Sequence, residues 1–246
     1  MFNYLLKIEY NGSNFVGWQS QKNGKSVQNE IENVLKKIFK SKIKLTGAGR
    51  TDKGVHAFGQ YACFKYKKKI ENKNKFIESM NFFLRKKLIS IIKIESKKIH
   101  FHARFNAKRR TYEYLIINRP SLLSIDRGKA WHVKKKINMN ILKKGGKLLK
   151  GTHDFSTFRA SSCTAKSPIK KIDSVVIKKN KEKIYIKFIS KSFLQTQVRS
   201  MVGSLKYLST GKWSVSDFKN AMRSKNRANC APPAPAEGLY LVDVKY

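Results

Sequence analysis

Acidic residues are scarce in this chain: 15 Asp and Glu stand against 54 Lys and Arg, a formal charge of +39 with a sequence pI near 10.3. A folded chain this basic repels itself unless a polyanion or counterions screen it, and nucleic acid is the usual polyanion. A coding bias toward Lys, Ile and Asn also accounts for the Lys excess, so the charge favours a nucleic-acid partner without proving one. Cysteine is sparse too. Cys63, Cys163 and Cys230 lie far apart with no CxxC or Cys/His spacing, which excludes a disulfide framework and a zinc site. They are expected to be small buried apolar residues in a reducing compartment. Long hydrophobic runs are missing as well. Lys7 and Glu9 interrupt Tyr4, Leu5 and Leu6, and no secretory or membrane-length apolar stretch follows, so the expectation is a soluble, cytoplasmic protein with no membrane partner. No strict short-period repeat is present, which excludes a solenoid. His56, His102, His132 and His153 show no metal-ligand spacing; no metal is expected, and each is read as structural or RNA-contacting.

What is present is enough for one large domain or two modest ones with a real core: 246 residues, 41% of them apolar. Tyr4, Leu6, Ile8 and Tyr10 alternate as a half-buried strand ending at the turn pair Asn11-Gly12. Val27, Ile31, Val34, Leu35 and Ile38 recur at helical spacing with Lys36, Lys37 and Lys40 opposite. A strand from Phe58 to Phe64, a helix from Phe76 to Leu84 and a β-like stretch from Ile91 to Ile94 follow. The alternation restarts after residue 105. Tyr112 to Ile117 reads as a strand, Ile141 to Leu149 as a helix, and Ile169 to Ile177 with Ile184 to Ile189 as a hairpin joined by the polar residues 178–183. Leu194, Val198, Met201, Val202 and Leu205 mark a further helix. Pro232, Pro233 and Pro235 predict an ordered turn before a last strand carrying Tyr240, Val242, Val244 and Tyr246 on one side. Hairpins argue against a doubly wound parallel sheet, so the pattern predicts an α+β fold of two similar halves, 1–105 and 106–246.

The most informative stretch is Thr46-Gly47-Ala48-Gly49-Arg50-Thr51-Asp52-Lys53-Gly54-Val55-His56-Ala57. Its glycines let the backbone turn sharply and approach a ligand closely. Two phosphate-binding patterns fail on it. After Gly49 and Gly54, Val55 and His56 stand where a Walker A loop needs Lys and Ser or Thr, and Asp52 occupies the third glycine position of a dinucleotide fingerprint. What remains is one acid between the basic neighbours Arg50 and Lys53. A loop Asp usually caps a turn or pairs with a neighbouring Arg. A deaminase is excluded, because its His-x-Glu and Pro-Cys-x-x-Cys pattern is missing. No convincing glycine-rich cofactor loop follows a strand, as a methyltransferase would want. A non-enzymatic RNA-binding module fits the charge equally well.

The loop from Arg50 to Ala57, with Gly59-Gln60, resembles the active-site motif of the tRNA pseudouridine synthase A (TruA) family. The resemblance spans nearly the whole chain in the family's order. It runs from Tyr10-Asn11-Gly12, Phe15-x-Gly17-Trp18-Gln19-x-Gln21 and Val27-Gln28, through Phe101 to Phe105 and Arg110 to Tyr114. It continues with Gly151-x-His153-Asp154-Phe155-x-x-Phe158 and Phe193-Leu194-x-x-x-Val198-Arg199-x-x-Val202-Gly203, and closes on Ala234-Pro235-Ala236-x-Gly238-Leu239-Tyr240-Leu241. Lys53, Asn11 and Gln195-Thr196-Gln197 depart from the usual pattern without removing an expected catalytic residue. The resemblance implies a pseudouridine synthase fold, two similar halves with mostly antiparallel mixed sheets forming a basic RNA-binding cleft. It implies a cofactor-free isomerisation of uridine at tRNA positions 38, 39 and 40 of the anticodon arm, by a homodimer. It makes Asp52, in the N-terminal half, the nucleophile. The C-terminal half completes the site, with Arg199 as the ion partner of Asp52, Tyr112 stacked on the flipped base and Leu239 in apolar contact with it. Arg50 reaches RNA near the extruded nucleotide, or pairs with an acid structurally. By residue type alone, Tyr112 and Leu239 read as core and Arg199 as a helix-surface Arg.

Overall fold

A period of two in side-chain direction lets a strand bury one face, and Tyr4 to Tyr10 has that period. In the computed structural model, which describes residues 1–21 and 23–246, the stretch is strand β1 (Phe2–Tyr10). Met1–Lys108 together with Tyr240–Tyr246 make one compact unit, and Arg109–Leu239 make a second.

In the first unit, helix α1 (Val27–Phe39) starts where the Ser26 hydroxyl accepts the Asn29 N–H at 3.2 Å and stops at Lys40, in the left-handed region at φ 54°. Val27, Ile31, Val34 and Leu35 recur at steps of three and four, so they fall on one buried face. Strands β2 (Thr46–Gly47) and β3 (His56–Tyr66) bracket the glycine-rich loop. Helix α2 (Lys73–Leu84) buries Phe76, Met80 and Leu84 at four-residue intervals, and Leu88, at φ 55°, turns the chain into β4 (Ile89–Lys97). β1 lies antiparallel between β3 and β4, with Tyr4 opposite both Phe64 and Ser96. Phe39, at the end of α1, stacks on Tyr66 at 3.9 Å and on Phe76 at 5.6 Å, which ties both helices to β3. The Asn81 amide donates to the Ile91 carbonyl (3.0 Å) and accepts its N–H (2.7 Å), so a side chain stands in for a neighbouring strand along β4.

The second unit contains β5 (Arg109–Asn118), β6 (Trp131–Val133), α3 (Met139–Leu149), β7 (Gly151–Asp154), β8 (Ile169–Asn180), β9 (Lys183–Ser190), α4 (Gln197–Ser209) and α5 (Val215–Arg223). β5, β9, β8 and β7 pair antiparallel in that order, and β6 runs parallel to β5. The expected hairpin is present with a tighter turn: the strands run on through Asn180 and from Lys183, and Lys181 reverses the chain at φ 51°. Backbone pairing carries these strands past their last apolar residues, where burial leaves no alternation to read. Among the described residues, five α-helices and mostly antiparallel strands make an α+β protein.

Strand β10 (Leu239–Lys245), which sequence order places with the second half, runs parallel to β3. Tyr240 lies opposite His56 and Leu241 opposite Ala57. The Tyr240 ring stacks on His56 and on Phe58, each at 4.9 Å, and residues 240–246 therefore cluster with the first unit.

Candidate active site

The loop between β2 and β3 is held at several points by the first unit. The Ala48 N–H donates to the Tyr61 carbonyl (2.7 Å) and the Gln60 amide to the Gly49 carbonyl (2.9 Å). The Trp18 N–H donates to the Thr51 carbonyl (3.2 Å), and the Tyr10 and Thr51 hydroxyls share a hydrogen bond of 2.8 Å. The Val55 N–H returns to the Asp52 carbonyl (3.2 Å), closing a turn over Lys53 and Gly54. Two glycines admit this packing. A Cβ on Gly17, which sits at φ 116°, would fall 2.6 Å from the Thr51 carbonyl oxygen, and one on Gly12 would fall 2.0 Å from that of Val55. His56 is buried and accepts the Gly12 N–H on Nδ1 at 3.1 Å, so of the two roles left open for it the structure assigns the structural one. Thr51 and Val55 are buried, Asp52 is half-buried, and Arg50 and Lys53 are exposed. The loop thus presents one carboxylate on a backbone pinned on both sides, the condition for a reacting group that must not wander.

The second unit brings Tyr112, Arg199 and Leu239 around one buried phenol, Tyr114. Tyr112, Tyr114 and Ile116 share the buried face of β5, with Tyr112 opposite Phe188 on β9 and edge-on to the Phe193 ring at 5.2 Å. The Tyr114 hydroxyl donates to the Pro235 carbonyl at 2.7 Å. A Cβ on Gly238 would lie 2.6 Å from the Tyr114 ring, so the turn at Ala236–Gly238 rests on that ring and delivers Leu239, itself buried. Burial pushes the Tyr114 phenol well above the ordinary tyrosine value, with the Arg199 guanidinium opposing and Glu237 adding to the shift. Tyr114 therefore stays a neutral donor to Pro235.

Arg199 lies in the first turn of α4 and is fixed by the proline segment. Its Nε donates to the Ala234 carbonyl (2.8 Å), and the Ala234 N–H donates to the Arg199 carbonyl (3.0 Å). The segment comes this near because residue 203 is glycine: a Cβ there would sit 2.0 Å from the Pro232 carbonyl oxygen. Ala is ordinarily the better helix former by roughly 0.8–1.0 kcal/mol, so Gly203→Ala would stabilise α4 in isolation. In the folded chain the clash decides the sign. Gly203→Ala is expected to lose about 1–3 kcal/mol, read as a fall of several degrees in the thermal unfolding midpoint.

Asp52 and Arg50 thus belong to the first unit, and Tyr112, Arg199 and Leu239 to the second. The supporting roles of Tyr114, Thr51, Gln60, Gly203 and Ala234 were not legible in the sequence, although all five fall within the blocks that carry the family resemblance. His132 bonds the Arg119 carbonyl and His153 that of Lys150, both at 2.9 Å. Among the described residues no group of three His, Cys, Asp or Glu could hold a metal ion, and no helix is long and apolar enough to cross a membrane.

A family model of tRNA pseudouridine synthases matches residues 7–106 and again residues 147–246, so the two halves of the chain are similar to one another in family terms. The protein named tRNA pseudouridine synthase A of Pelagibacter ubique is 54% identical over 246 residues, covering 100% of both chains. Its namesakes in Maricaulis maris (41% over 243 residues, 99% of this chain and 97% of that one) and Parvibaculum lavamentivorans (42% over 243 residues, 99% and 98%) are also similar end to end. The chain belongs to the tRNA pseudouridine synthase family, a family of isomerases.

Proposed function

We propose that this chain isomerises uridine to pseudouridine at tRNA positions 38, 39 and 40 of the anticodon arm, with Asp52 as nucleophile and the target base flipped out of its helix. The observation that carries the reading is the clamped Asp52 loop in a chain similar from end to end to proteins named tRNA pseudouridine synthase A. The reaction breaks the bond from ribose C1′ to N1, rotates the uracil, and forms the bond from C1′ to C5; the C5 proton leaves to solvent and N1 takes one up. Atoms and electrons balance without a redox partner or a group donor. A carboxylate needs aim more than deprotonation to act as a nucleophile at neutral pH. Attack at C1′ and addition at C6 of the base both satisfy this balance.

In this reading Arg199 is the counter-ion that aims Asp52, and because its Nε is committed to Ala234, the η nitrogens do the pairing. Tyr112 stacks on the flipped base and takes part in removing the C5 proton, Leu239 supplies an apolar contact, and Arg50 meets RNA beside the vacated position. The enzyme works in the cytoplasm as a homodimer whose basic groove cradles tRNA, and light scattering checks the dimer. The deciding assay uses unmodified tRNA carrying C5-tritiated uridine. Release of tritium by the wild-type chain supports the reading; tight binding without release makes the chain an RNA-binding module and ends it.

Phosphate contacts offset the cost of extruding a paired uridine, a few kcal/mol. Lys67-Lys68-Lys69, Arg85-Lys86-Lys87 and Lys134-Lys135-Lys136 are exposed, as are Lys108 and Arg109. Affinity for tRNA is expected to fall by about 0.9 log units per log unit of salt for each phosphate neutralised. Measured by filter binding, replacing Lys134, Lys135 and Lys136 together by Ala should flatten that slope; an unchanged slope removes this run from the interface.

A further inference from the structure

The turn between β4 and β5, which carries His102, is closed by several hydrogen bonds. The His102 N–H donates to the Asn106 carboxamide oxygen (2.7 Å), and the Asn106 N–H returns to the His102 carbonyl (3.0 Å). His102 Nδ1 accepts the N–H groups of Arg104 (3.1 Å) and Phe105 (3.4 Å). Ala103 anchors the turn from beneath: it is fully buried, its N–H meets the Cys63 sulfur at 3.5 Å, and its carbonyl accepts the Tyr246 hydroxyl at 3.0 Å. What this frame displays is Phe105, 73% exposed, with the His102 ring 4.3 Å away and the Arg104 guanidinium 5.7 Å from its centroid.

An exposed phenyl ring adds nothing to a core, and a turn closed this tightly cannot fold it away. Residues 96–108 contain Lys97, Lys98, Arg104 and Lys108 and no Asp or Glu. A polyanion is drawn to such a surface, and the +39 carried by the whole chain adds to that attraction. A rigid aromatic face beside cations is the arrangement on which proteins stack an unpaired base while meeting the phosphates that flank it. We propose that Phe105 is a stacking platform for an unpaired base of the RNA substrate other than the uridine being isomerised, with Arg104 at the adjoining phosphate. The proposal rests on the reading that the substrate is tRNA.

The test uses the full chain with Phe105→Ala, Phe105→Leu and Phe105→Trp, each assayed for tritium release over a range of unmodified tRNA. Phe105→Ala and Phe105→Leu should raise KM roughly five- to hundred-fold, with kcat within about twofold and an unchanged unfolding midpoint. Phe105→Trp should restore KM, and its fluorescence in excess of the wild-type signal should be quenched when tRNA is added. A wild-type KM for Phe105→Ala overturns the proposal, as does a Leu variant equal to wild type, which would mean apolar contact without stacking. A fall in kcat or in the unfolding midpoint at constant KM would make Phe105 structural, and loss of self-association in Phe105→Ala would assign the ring to a second copy. If the wild-type chain releases no tritium, the function reading fails by itself; the platform then stands or falls on quenching of the Phe105→Trp variant by tRNA.

Discussion

Asp52→Asn is expected to lower tritium release by on the order of four decades or more while tRNA affinity stays within about threefold of wild type. The expectation is sharp because the substitution leaves the loop's anchors alone. Asn is isosteric with Asp, and the bonds that pin the loop run through the backbones of Ala48, Gly49, Thr51 and Val55 and the hydroxyl of Thr51. Those backbone and hydroxyl bonds carry no charge at residue 52, and Asn keeps an oxygen at the same place. What it lacks is the anion that, in the proposed mechanism, forms the covalent bond. Asp52→Glu tests the other half of the argument. It keeps the charge but moves it outward by one methylene, and a displacement of about 1 Å at a reacting atom costs on the order of a hundredfold. The pinned backbone cannot retreat to compensate. A tenth or more of wild-type release from Asp52→Asn would take Asp52 out of the chemistry.

The elements with strong periodicity were legible in the sequence, and the reasons are local. Tyr4 to Tyr10 alternates and Val27 to Leu35 repeats at helical steps, although β1 is not the half-buried strand its alternation suggested, since Asn3 and Leu5 on its other face are buried as well. Helix α5 was not legible. It buries only Phe218 and Ala221, too few for a period, although the Ser214 hydroxyl capping the Asp217 N–H at 3.1 Å, with the Asp217 carboxylate accepting the Ser214 N–H at 2.8 Å, leaves a Ser-x-x-Asp trace that could have marked its start. Strands of three and four residues such as β6 and β7 carry no readable alternation at all. The pairing of β10 with β3 joins residues about three-quarters of the chain apart, Tyr240 with His56, and no window of sequence encodes that distance. Cysteine burial was legible only in part: Cys63 is buried, while Cys163 and Cys230 are half-buried, Cys230 with its sulfur 3.6 Å from the Ser204 hydroxyl.

The candidate site divides in the same way. Glycines 47, 49 and 54 announced a tight loop around Asp52, since glycine in a short loop is a local statement about backbone angles. That Gly12 and Gly17 lie against that loop was not local; their glycine identity was visible, but the carbonyls of Val55 and Thr51 that demand it lie far along the chain. Gly203 and Pro232 show the same limit. Each is conspicuous alone, and only the fold reveals that one exists to admit the other.

That pairing underlies the second large effect. Arg199→Ala is expected to lower kcat by about 10²–10⁴-fold with little change in tRNA affinity, because a charge that aims a nucleophile acts in the transition state and not on bulk phosphate. Arg199→Lys should recover only a small part of the loss. Lysine keeps the positive charge but lacks the Nε donor that ties Arg199 to the Ala234 carbonyl, and it lacks the planar fork that meets a carboxylate along two parallel bonds. The fold should survive both changes. α4 remains attached to the proline segment through the Ala234 N–H and the Arg199 carbonyl, a backbone bond that no side chain at 199 affects. Leaving the buried Ala234 carbonyl without its side-chain donor should by itself cost about 1–3 kcal/mol of stability, so the unfolding midpoint is measured beside the kinetics. Added guanidinium should restore part of the turnover of Arg199→Ala and none of that of Asp52→Asn, since in the proposed mechanism the first variant lacks a cation that can be supplied and the second lacks the reacting group. A large loss of affinity with normal turnover would place Arg199 among the phosphate contacts and leave Asp52 to be aimed by another group.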